Sequence, residues 1–413
     1  WRSHYQACQR RVSELLQPLA GRLREPVPTR RRSIESGRVP MDFASLLKMM
    51  VEKKASDLFI TADVPPSLKI NGKIHPVSHN RLTAEQAREV VYGVMTPEQR
   101  VEFERTQEAN FAINAPDTGR FRVNIFQQQT HVGMVLRRIE TEVPTLDELQ
   151  LPEIMQELAM ARSGLAIIVG STGQGKSSTL AAMIHHRNHH ANGHIVCVED
   201  PIEYVHEPAA CIITQREVGV DTETFESALN NALRQAPDVI MIGEIRSRET
   251  MEHALQFAET GHLCIATLHA SNADQAMERI IYFFPEDRHG QIHLDLSLNL
   301  KAIVAQRLVP LATGTGSRVA TEVLLNTPLM AKHIRKGETH RLKEVMKKSE
   351  QLGMRTFDHD LFNLFRQGEI TYEDALANAD SPNELRLMIK LETSDLQESP
   401  SEFDGVTLMN PKE

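Results

Sequence analysis

The spacing of apolar residues divides the chain into parts of different character. Apolar residues first recur at helical spacing, and the positions concerned are Phe43, Leu46, Leu47, Met50 and Val51. Short alternating runs follow, and the pair Asn71-Gly72 between two of them is typical of a two-residue hairpin. Two more helices, the first capped by Thr83, and three further strands complete the pattern. Residues 41–138 are therefore predicted to form a small α+β domain.

The second part of the chain has continuous apolar runs that alternate with helices. A polar, proline-marked segment, residues 139–152, predicts a linker before it. The apolar runs lie at residues 165–169, 195–198, 239–242 and 263–268. Strands of this kind separated by helices are typical of a parallel sheet covered on both faces. A mostly helical C-terminal part with two more strands completes a predicted α/β domain over residues 153–390.

The two ends of the chain differ from this body in charge. The chain has a formal charge of −9, but residues 1–40 carry nine arginines and three glutamates, which leaves −15 on the rest. The first 40 residues predict a poorly ordered leader, with a basic interaction arm as the alternative, and Met41 is our predicted native start. Residues 391–413 predict an acidic tail. The acidic body argues against nucleic acid as a partner.

Cysteine and histidine usage narrows the class of protein further. The four cysteines include no C-x-x-C pair, which argues against a disulfide framework or a zinc site and favours a reducing cytosol. No apolar run reaches 18 residues, so we predict no membrane span. Of the five histidines between residues 185 and 194, the pairs 185/189 and 186/190 share helical faces, but a solvated helix end is a better interpretation than a metal site.

The most specific motif is a glycine-rich loop that follows an apolar strand and opens a helix. Residues 170–177 match G-x-x-x-x-G-K-[ST], whose backbone N–H groups surround phosphates. In this pattern Lys176 meets the β- and γ-phosphates, and the Ser177 hydroxyl ligates Mg²⁺. The predicted ligand is ATP with Mg²⁺. The predicted nucleotide-binding residues are Gly170, Ser171, Thr172, Gly173, Gln174, Gly175, Lys176, Ser177 and Ser178.

Further polar residues stand at strand ends that border the same ligand crevice. Glu244 follows an apolar strand and is placed to hold Mg²⁺ through water; the alternative is a solvated loop glutamate. The cluster Glu199, Asp200 and Glu203 follows another strand, where one carboxylate orients or deprotonates the attacking water, or where all three are turn acids. His269 either senses the γ-phosphate or is structural.

Together these motifs resemble the secretion ATPase superfamily, and specifically the twitching-motility ATPases of type IV pili, the PilT/PilU family. The resemblance covers about residues 41–390. It is carried by the loop at 170–177, the Asp box at 199–203, the Walker B pair at 243–244 and the His box at 261–269, with residues 215–219 and 233–238 in support. It implies a PAS-like N-terminal α+β domain followed by a RecA-like P-loop ATPase domain with a helical C-terminal part.

The resemblance also implies roles for single residues. The catalytic glutamate of the Asp box maps onto Glu203, the Walker B glutamate onto Glu244, and the His box histidines onto His262 and His269. It further implies that arginines of the N-terminal domain reach the nucleotide of a neighbouring subunit in a homo-hexamer. Their predicted positions are Arg122 and Arg137, with Arg120 as a weaker candidate, and ordinary surface arginines are the alternative.

Within the family, residues 254–270, residues 368–377 and the acidic extension resemble the PilU branch more than the PilT branch. PilT-type proteins have an Ala-Ile-Arg-Glu-x-Lys motif, and residues 333–338 depart from it. The implied function is a cytoplasmic motor that hydrolyses ATP to drive type IV pilus retraction and twitching motility. It would act with a PilT-type ATPase on the pilus platform protein of the inner membrane. The alternatives are a pilus assembly or type II secretion ATPase, and a non-motor scaffold partner of a PilT-type ring.

Overall fold

A computed structural model describes residues 42–116 and 118–395 of the chain. The predicted leader and most of the predicted acidic tail therefore lie outside the described residues. The described residues from Phe43 onward belong to a single compact unit, which contains two sheets.

The first sheet is antiparallel and lies between residues 57 and 138. Its elements in chain order are α1 (Phe43–Glu52), β1 (Asp57–Ile60), β2 (Ser67–Ile70), β3 (Lys73–Pro76), α2 (Ala84–Gly93), α3 (Pro97–Thr106), β4 (Glu108–Ala115), β5 (Gly119–Gln128) and β6 (His131–Arg138). The strand order is β3-β2-β1-β6-β5-β4. The predicted hairpin is present, because Asn71 and Gly72 both have positive φ.

The two faces of this sheet carry different residues. On β5, Phe121, Val123 and Ile125 are fully buried, and α2 packs against β6 while α3 packs against β4. The alternate residues of β5 place Arg120 and Arg122 on the opposite face. Packing therefore uses one face of the sheet and leaves a charged face for other contacts.

The second sheet has seven strands and is mostly parallel. Its elements are α4 (Ile154–Ala159), β7 (Gly164–Val169), α5 (Lys176–His190), β8 (Gly193–Glu199), β9 (Cys211–Glu217), α6 (Phe225–Ala232), β10 (Val239–Ile242), α7 (Arg248–Glu259), β11 (Leu263–Leu268), α8 (Ala273–Tyr282), α9 (His289–Asn299), β12 (Leu300–Pro310), β13 (Ser317–Leu325), α10 (Pro328–Arg335), α11 (Leu342–Lys347), α12 (Phe357–Arg366), α13 (Tyr372–Asn378) and α14 (Pro382–Asp395). The order is β13-β12-β7-β11-β10-β8-β9, and β13 alone of these strands pairs antiparallel with its neighbour.

Helices cover both faces of this sheet, as the continuous apolar strands predicted. One face packs against α4 and α5. The other face packs against α6 to α9 and the C-terminal helices. The central strands β7, β10 and β11 are buried along their whole length. The mixed α/β fold predicted from the sequence is confirmed.

Three elements of this part, α4, β9 and α8, were not predicted from the sequence. β9 lies at the edge of the sheet and is only partly buried, so its sequence has no continuous apolar run. α8 starts at its cap residue Asn272 and buries a helical stripe that includes Ala276, Met277 and Ile280. The last helix, α14, continues five residues beyond the predicted boundary at residue 390. No helix in the described ranges is both long and apolar enough to cross a membrane.

Candidate active site

Four parallel strands bring the predicted site residues to one edge of the second sheet. β7, β11, β10 and β8 are adjacent and hydrogen-bonded in parallel. The residues that directly follow these strands are Gly170, His269, Gly243 and Asp200. Because the carboxyl ends of parallel strands share one edge, these four segments meet at the place where open α/β sheets bind their ligands.

The loop between β7 and α5 has the backbone shape that phosphate binding requires. Gly173 and Gly175 both have φ of +80°, in the left-handed region that favours glycine. Gly170 approaches β12 so closely that a Cβ atom there would lie 2.8 Å from the carbonyl oxygen of Gln306. α5 begins directly after the loop, at Lys176, so the first N–H groups of this helix are available to an anion.

The Lys176 side chain folds back over the loop. Its Nζ donates hydrogen bonds to the carbonyl oxygens of Gly170 (2.7 Å) and Ser171 (3.0 Å), and lies 3.5 Å from His269 Nδ1. Burial lowers the pKa of Lys176, and the charge of Glu244 opposes this effect. The ammonium group is thus shielded from water and hydrogen-bonded to uncharged carbonyl oxygens. Phosphate oxygens can replace these partners.

Glu244 connects the histidine to the acidic loop. Its Oε1 lies 2.8 Å from His269 Nε2, and its Oε2 accepts a hydrogen bond of 2.5 Å from Arg246 Nε. Arg246 also donates to Asp200 at 3.2 Å. The Thr267 hydroxyl donates to the Gly243 carbonyl oxygen at 2.5 Å and so holds the turn that carries Glu244. Lys176, His269 and Glu244 therefore form one continuous contact chain.

The residues predicted to hold Mg²⁺ have suitable donor chemistry. Ser177 is exposed in the first turn of α5, and the Glu244 side chain is 15% exposed at the end of β10. A hydroxyl oxygen, a carboxylate oxygen and water are the ligands that Mg²⁺ prefers. The donor set therefore fits this ion.

The acidic cluster separates into buried and exposed members. Glu199 is 7% exposed, whereas Glu203 is exposed and Asp200 is half-buried. Burial raises the pKa of Glu199 to about 7, although hydrogen bonds from Gln215 and from the backbone N–H of Glu203 oppose this rise. Glu199 therefore acts inside the fold, and Glu203 is the member of the cluster that is open to a ligand.

Within one chain, the predicted arginines lie on the charged face of the first sheet. Arg122 pairs across the sheet with Arg137, and Arg137 with Asp57. Arg137 Nε donates to Asp57 Oδ1 at 2.9 Å, and the Arg137 side chain is 64% exposed. Arg120 approaches Glu217 of β9, with 3.8 Å between Nη2 and Oε2. The weaker candidate, Arg120, is thus the arginine in contact with the second sheet.

His262 does not lie with the other predicted site residues. It precedes β11, whereas His269 follows it, so the two histidines stand at opposite edges of the sheet. Its Nδ1 contacts Thr260 Oγ1 at 3.0 Å. The histidines of α5 stack in pairs, 185 on 189 and 186 on 190. Across the described ranges, no group of three or more histidine, cysteine, aspartate or glutamate side chains is arranged to hold a metal ion.

The structure adds two polar contacts that the sequence patterns did not indicate. Gln174 accepts a hydrogen bond from the Leu308 N–H and Gln306 donates to the Gln174 carbonyl oxygen, both at 2.6 Å, so the loop is tied to β12. Ser178 Oγ lies 2.8 Å from the Tyr204 hydroxyl. Each contact joins residues far apart in the chain, and no local sequence signal predicts it.

Comparison with known proteins identifies the class. The chain belongs to the family described as Type II/IV secretion system protein, whose profile matches residues 34–366. This confirms the resemblance to secretion ATPases that the motifs predicted.

Individual relatives narrow the position within the family. The chain is 63% identical over 369 residues to the type IV pilus ATPase PilU of Pseudomonas aeruginosa, across 89% of this chain and 97% of that protein. It is 36% identical over 342 residues to the type IV pilus retractation ATPase PilT of the same organism, across 83% and 99%. The crystal structure of the pilus retraction motor PilT with bound ADP superposes with a TM-score of 0.79 at 38% identity, covering 84% of this chain and 100% of that one. The chain is therefore a close homologue of a type IV pilus ATPase.

Proposed function

We propose that this chain is a Mg²⁺-dependent ATPase that acts as a motor in type IV pilus retraction. The observation that carries the proposal is the convergence of the loop at 170–177, Glu244 and His269 at one sheet edge, in a chain 63% identical to a type IV pilus ATPase. In finer terms, residues 41–138 form a PAS-like domain and residues 153–390 a RecA-like P-loop ATPase domain, joined by the linker at 139–152.

The proposed chemistry assigns one task to each side chain. The backbone of the loop and the ammonium of Lys176 bind the phosphates, so Lys176 exchanges its carbonyl partners for phosphate oxygens. Ser177, and Glu244 through water, would hold Mg²⁺, which when bound would neutralise the charge that develops on the phosphates. Glu203 orients the attacking water and accepts its proton. His269, in contact with both Lys176 and Glu244, senses the γ-phosphate.

We propose that assembly completes this site. In a homo-hexamer, Arg122 and Arg137 of one subunit would reach the nucleotide of the next and stabilise the charge on the γ-phosphate. Their place on the sheet face opposite the apolar side chains of β5 supports this assignment. Closure of the N-terminal domain over a neighbouring loop would then couple hydrolysis to movement. The ring would work in the cytoplasm with a PilT-type ATPase, against the platform protein of the inner membrane.

A scaffold role beside a PilT-type ring is the second candidate, because the segment at residues 333–338 departs from the PilT-type motif. Here α10 ends at Arg335 and Gly337 has φ of +71°. His333 Nδ1 contacts Glu338 Oε2 at 2.7 Å, which closes this turn on itself. A pilus assembly or type II secretion ATPase is less well supported, since the matching type II secretion system protein E of Xanthomonas campestris aligns over 43% of this chain and 30% of that protein.

Hydrolysis by the purified full chain tests the enzyme proposal. With Mg²⁺ present, Lys176→Ala and Glu203→Gln should each lower the rate by about 100-fold or more. Glu207→Gln, a change at an exposed glutamate of the same loop, is the matched control and should leave the rate unchanged. The proposal fails if neither Lys176→Ala nor Glu203→Gln lowers hydrolysis.

Retraction in cells separates the motor from the scaffold. Pilus retraction is measured in cells that lack this protein, its PilT-type relative, or both. The motor role requires that Glu203→Gln impairs retraction as deletion does. Normal retraction with Glu203→Gln, but not with the deletion, would establish the scaffold role instead.

A further inference from the structure

Side chains of two neighbouring strands form hydrogen bonds with the loop that carries Glu203. β8 and β9 pair in parallel, with Cys197 opposite Gln215 and Glu199 opposite Glu217. Gln215 and Glu199 therefore project from the same face of the sheet. The loop between residues 199 and 211 passes over this pair.

Both the nitrogen and the oxygen of the Gln215 carboxamide form hydrogen bonds with the loop. Its Nε2 donates to the Tyr204 carbonyl oxygen at 2.8 Å and to Glu199 Oε1 at 3.1 Å. Its Oε1 accepts the His206 N–H at 2.9 Å. The side chain thus supplies the donor and the acceptor that a neighbouring strand would supply, at positions one and three residues beyond Glu203.

Glu199 holds the loop on the other side of Glu203. The buried carboxylate of Glu199 accepts the backbone N–H of Glu203 as well as the Gln215 amide. Glu203 therefore stands between two anchored points while its own side chain remains exposed.

The same loop is also tied to the nucleotide-binding helix. The Tyr204 hydroxyl lies 2.8 Å from Ser178 Oγ, one residue beyond the predicted Mg²⁺ ligand Ser177. The Val205 N–H donates to the Glu140 carbonyl oxygen at 3.1 Å. The backbone next to Glu203 is consequently positioned relative to the loop at 170–177 and not only relative to its own strand.

We propose that Gln215 is a positioning residue for ATP hydrolysis, which holds the backbone around Glu203 so that its carboxylate meets the attacking water. The proposal rests on the proposed function, since it assigns to Gln215 an effect that acts through Glu203. An error of about 1 Å in the position of a catalytic group costs on the order of 100-fold in rate. The side-chain hydrogen bonds of Gln215 go to Tyr204, His206 and Glu199 and not to the loop at 170–177. Replacing Gln215 should therefore lower turnover and leave nucleotide affinity unchanged.

The first test uses the full chain and measures kcat and KM for ATP hydrolysis. It also measures the Kd of a fluorescent ATP analogue with Mg²⁺. Gln215→Ala should lower kcat by on the order of 10- to 100-fold, with KM and Kd changed by less than about 3-fold. Gln351→Ala, at an exposed glutamine remote from the site, is the matched control. Gln215→Glu keeps the shape of the side chain but loses both donors, so it should show the same split if Gln215→Ala folds poorly. A rise of KM and Kd as large as the fall in kcat would overturn the proposal.

A double-mutant cycle with Glu203→Gln gives the decisive readout. If Gln215 acts through Glu203, Gln215→Ala should cost no further rate in the Glu203→Gln background. An additive loss would refute the positioning role and indicate a general structural effect. The proposed function is judged separately by Glu203→Gln alone: if that variant is slow and Gln215→Ala is not, this inference fails while the ATPase proposal stands.

Discussion

Two lysines in two charged clusters, the buried Lys176 and the half-buried Lys343, have pKa values shifted in opposite directions. Lys176, at the carboxyl edge of the second sheet, has a lowered pKa because the effect of burial exceeds that of the Glu244 charge. Lys343, on α11, is also penalised by burial, but hydrogen bonding to Asp380 and the charges of Glu322 and Asp274 outweigh this and raise its pKa. The difference lies in the partners, since Lys176 is held by neutral carbonyl oxygens and Lys343 by carboxylates.

The Lys343 cluster is largely satisfied within the fold. Asp380 accepts hydrogen bonds from Lys343, Arg307 and Asn272. Burial raises the pKa of Asp380, but its bonds with Lys343 and Arg307 outweigh this effect and leave its pKa below the ordinary value. The cluster joins β12, the loop after β11 and the C-terminal helices. The buried charges around Lys343 therefore serve cohesion, whereas the ammonium group of Lys176 is held by carbonyl oxygens.

The largest expected effect separates the two lysines by nucleotide binding. Lys176→Ala should weaken the binding of a non-hydrolysable ATP analogue with Mg²⁺ by about 100-fold or more, because the phosphates lose their charged donor. The unfolding free energy without nucleotide should fall by less than about 1 kcal/mol, since no carboxylate loses a partner. Calorimetric titration and denaturant unfolding measure the two quantities. A nucleotide affinity that remains intact would remove the distinction between the clusters.

The reciprocal variant should affect stability instead of binding. Lys343→Ala leaves Asp274 without its cation and Asp380 with Arg307 alone, and should lower the unfolding free energy by about 2 kcal/mol. Nucleotide affinity should stay within about 3-fold, because the change lies outside the contacts of Lys176. Lys347→Ala on the same helix, whose ion pair with Glu384 is exposed, is the matched control and should cost less than about 0.5 kcal/mol. Equal losses for the two lysines of α11 would contradict the assignment.

A smaller effect concerns the pH dependence of stability at Glu322. Burial raises the pKa of this fully buried carboxyl to about 7, against a hydrogen bond from the Ala273 N–H. A raised folded-state pKa contributes stability that is fully present below about pH 4.5 and is lost as the pH rises through about 7. The unfolding free energy should therefore fall between pH 5 and 8. Glu322→Gln should reduce that fall by about 1–2 kcal/mol, and an unchanged pH profile would be evidence against a titrating Glu322.

The smallest effect is expected at Arg246, which bridges Glu244 and Asp200 at the nucleotide edge. Its side chain is 57% exposed, and ion pairs in this environment contribute about 0–1 kcal/mol. Arg246→Ala should change kcat by less than about 5-fold and leave the melting temperature nearly unaltered. Steady-state kinetics and thermal unfolding check both expectations. A loss as large as that of Lys176→Ala would place Arg246 among the groups that contact the nucleotide.

Local patterns predicted the central strands well and the edge strand β9 poorly. β10 and β11 start and end where the apolar spacing placed them. Their signals are local, because a strand buried on both faces must be continuously apolar. β9 has no such requirement, since it is an edge strand whose polar residues face the Glu203 loop and Arg120. The polar residues of β9 thus interrupt the apolar pattern by which a strand is recognised.

The candidate site likewise contains residues that a local sequence signal predicts and contacts that no local signal predicts. The motif at 170–177 was evident because glycines, a lysine and a hydroxyl must occur at set spacings within one turn and one helix start. Glu244 and His269 followed from their positions after apolar strands. The contacts of Gln215, Gln174 and Tyr204 gave no such signal, since their partners lie between 9 and 134 residues away along the chain.

The order of residues alone was sufficient to predict the glycine-rich loop at 170–177, the acidic and histidine positions and the alternation of strands and helices, because backbone preference and hydrophobic period act over a few neighbours. The strand order β13-β12-β7-β11-β10-β8-β9 was decided by tertiary packing. Tertiary packing also buries Glu199 while leaving Glu203 exposed, and provides Lys343 but not Lys176 with carboxylate hydrogen-bond partners. Burial and pairing depend on which elements become neighbours, and that information is not contained in any local segment.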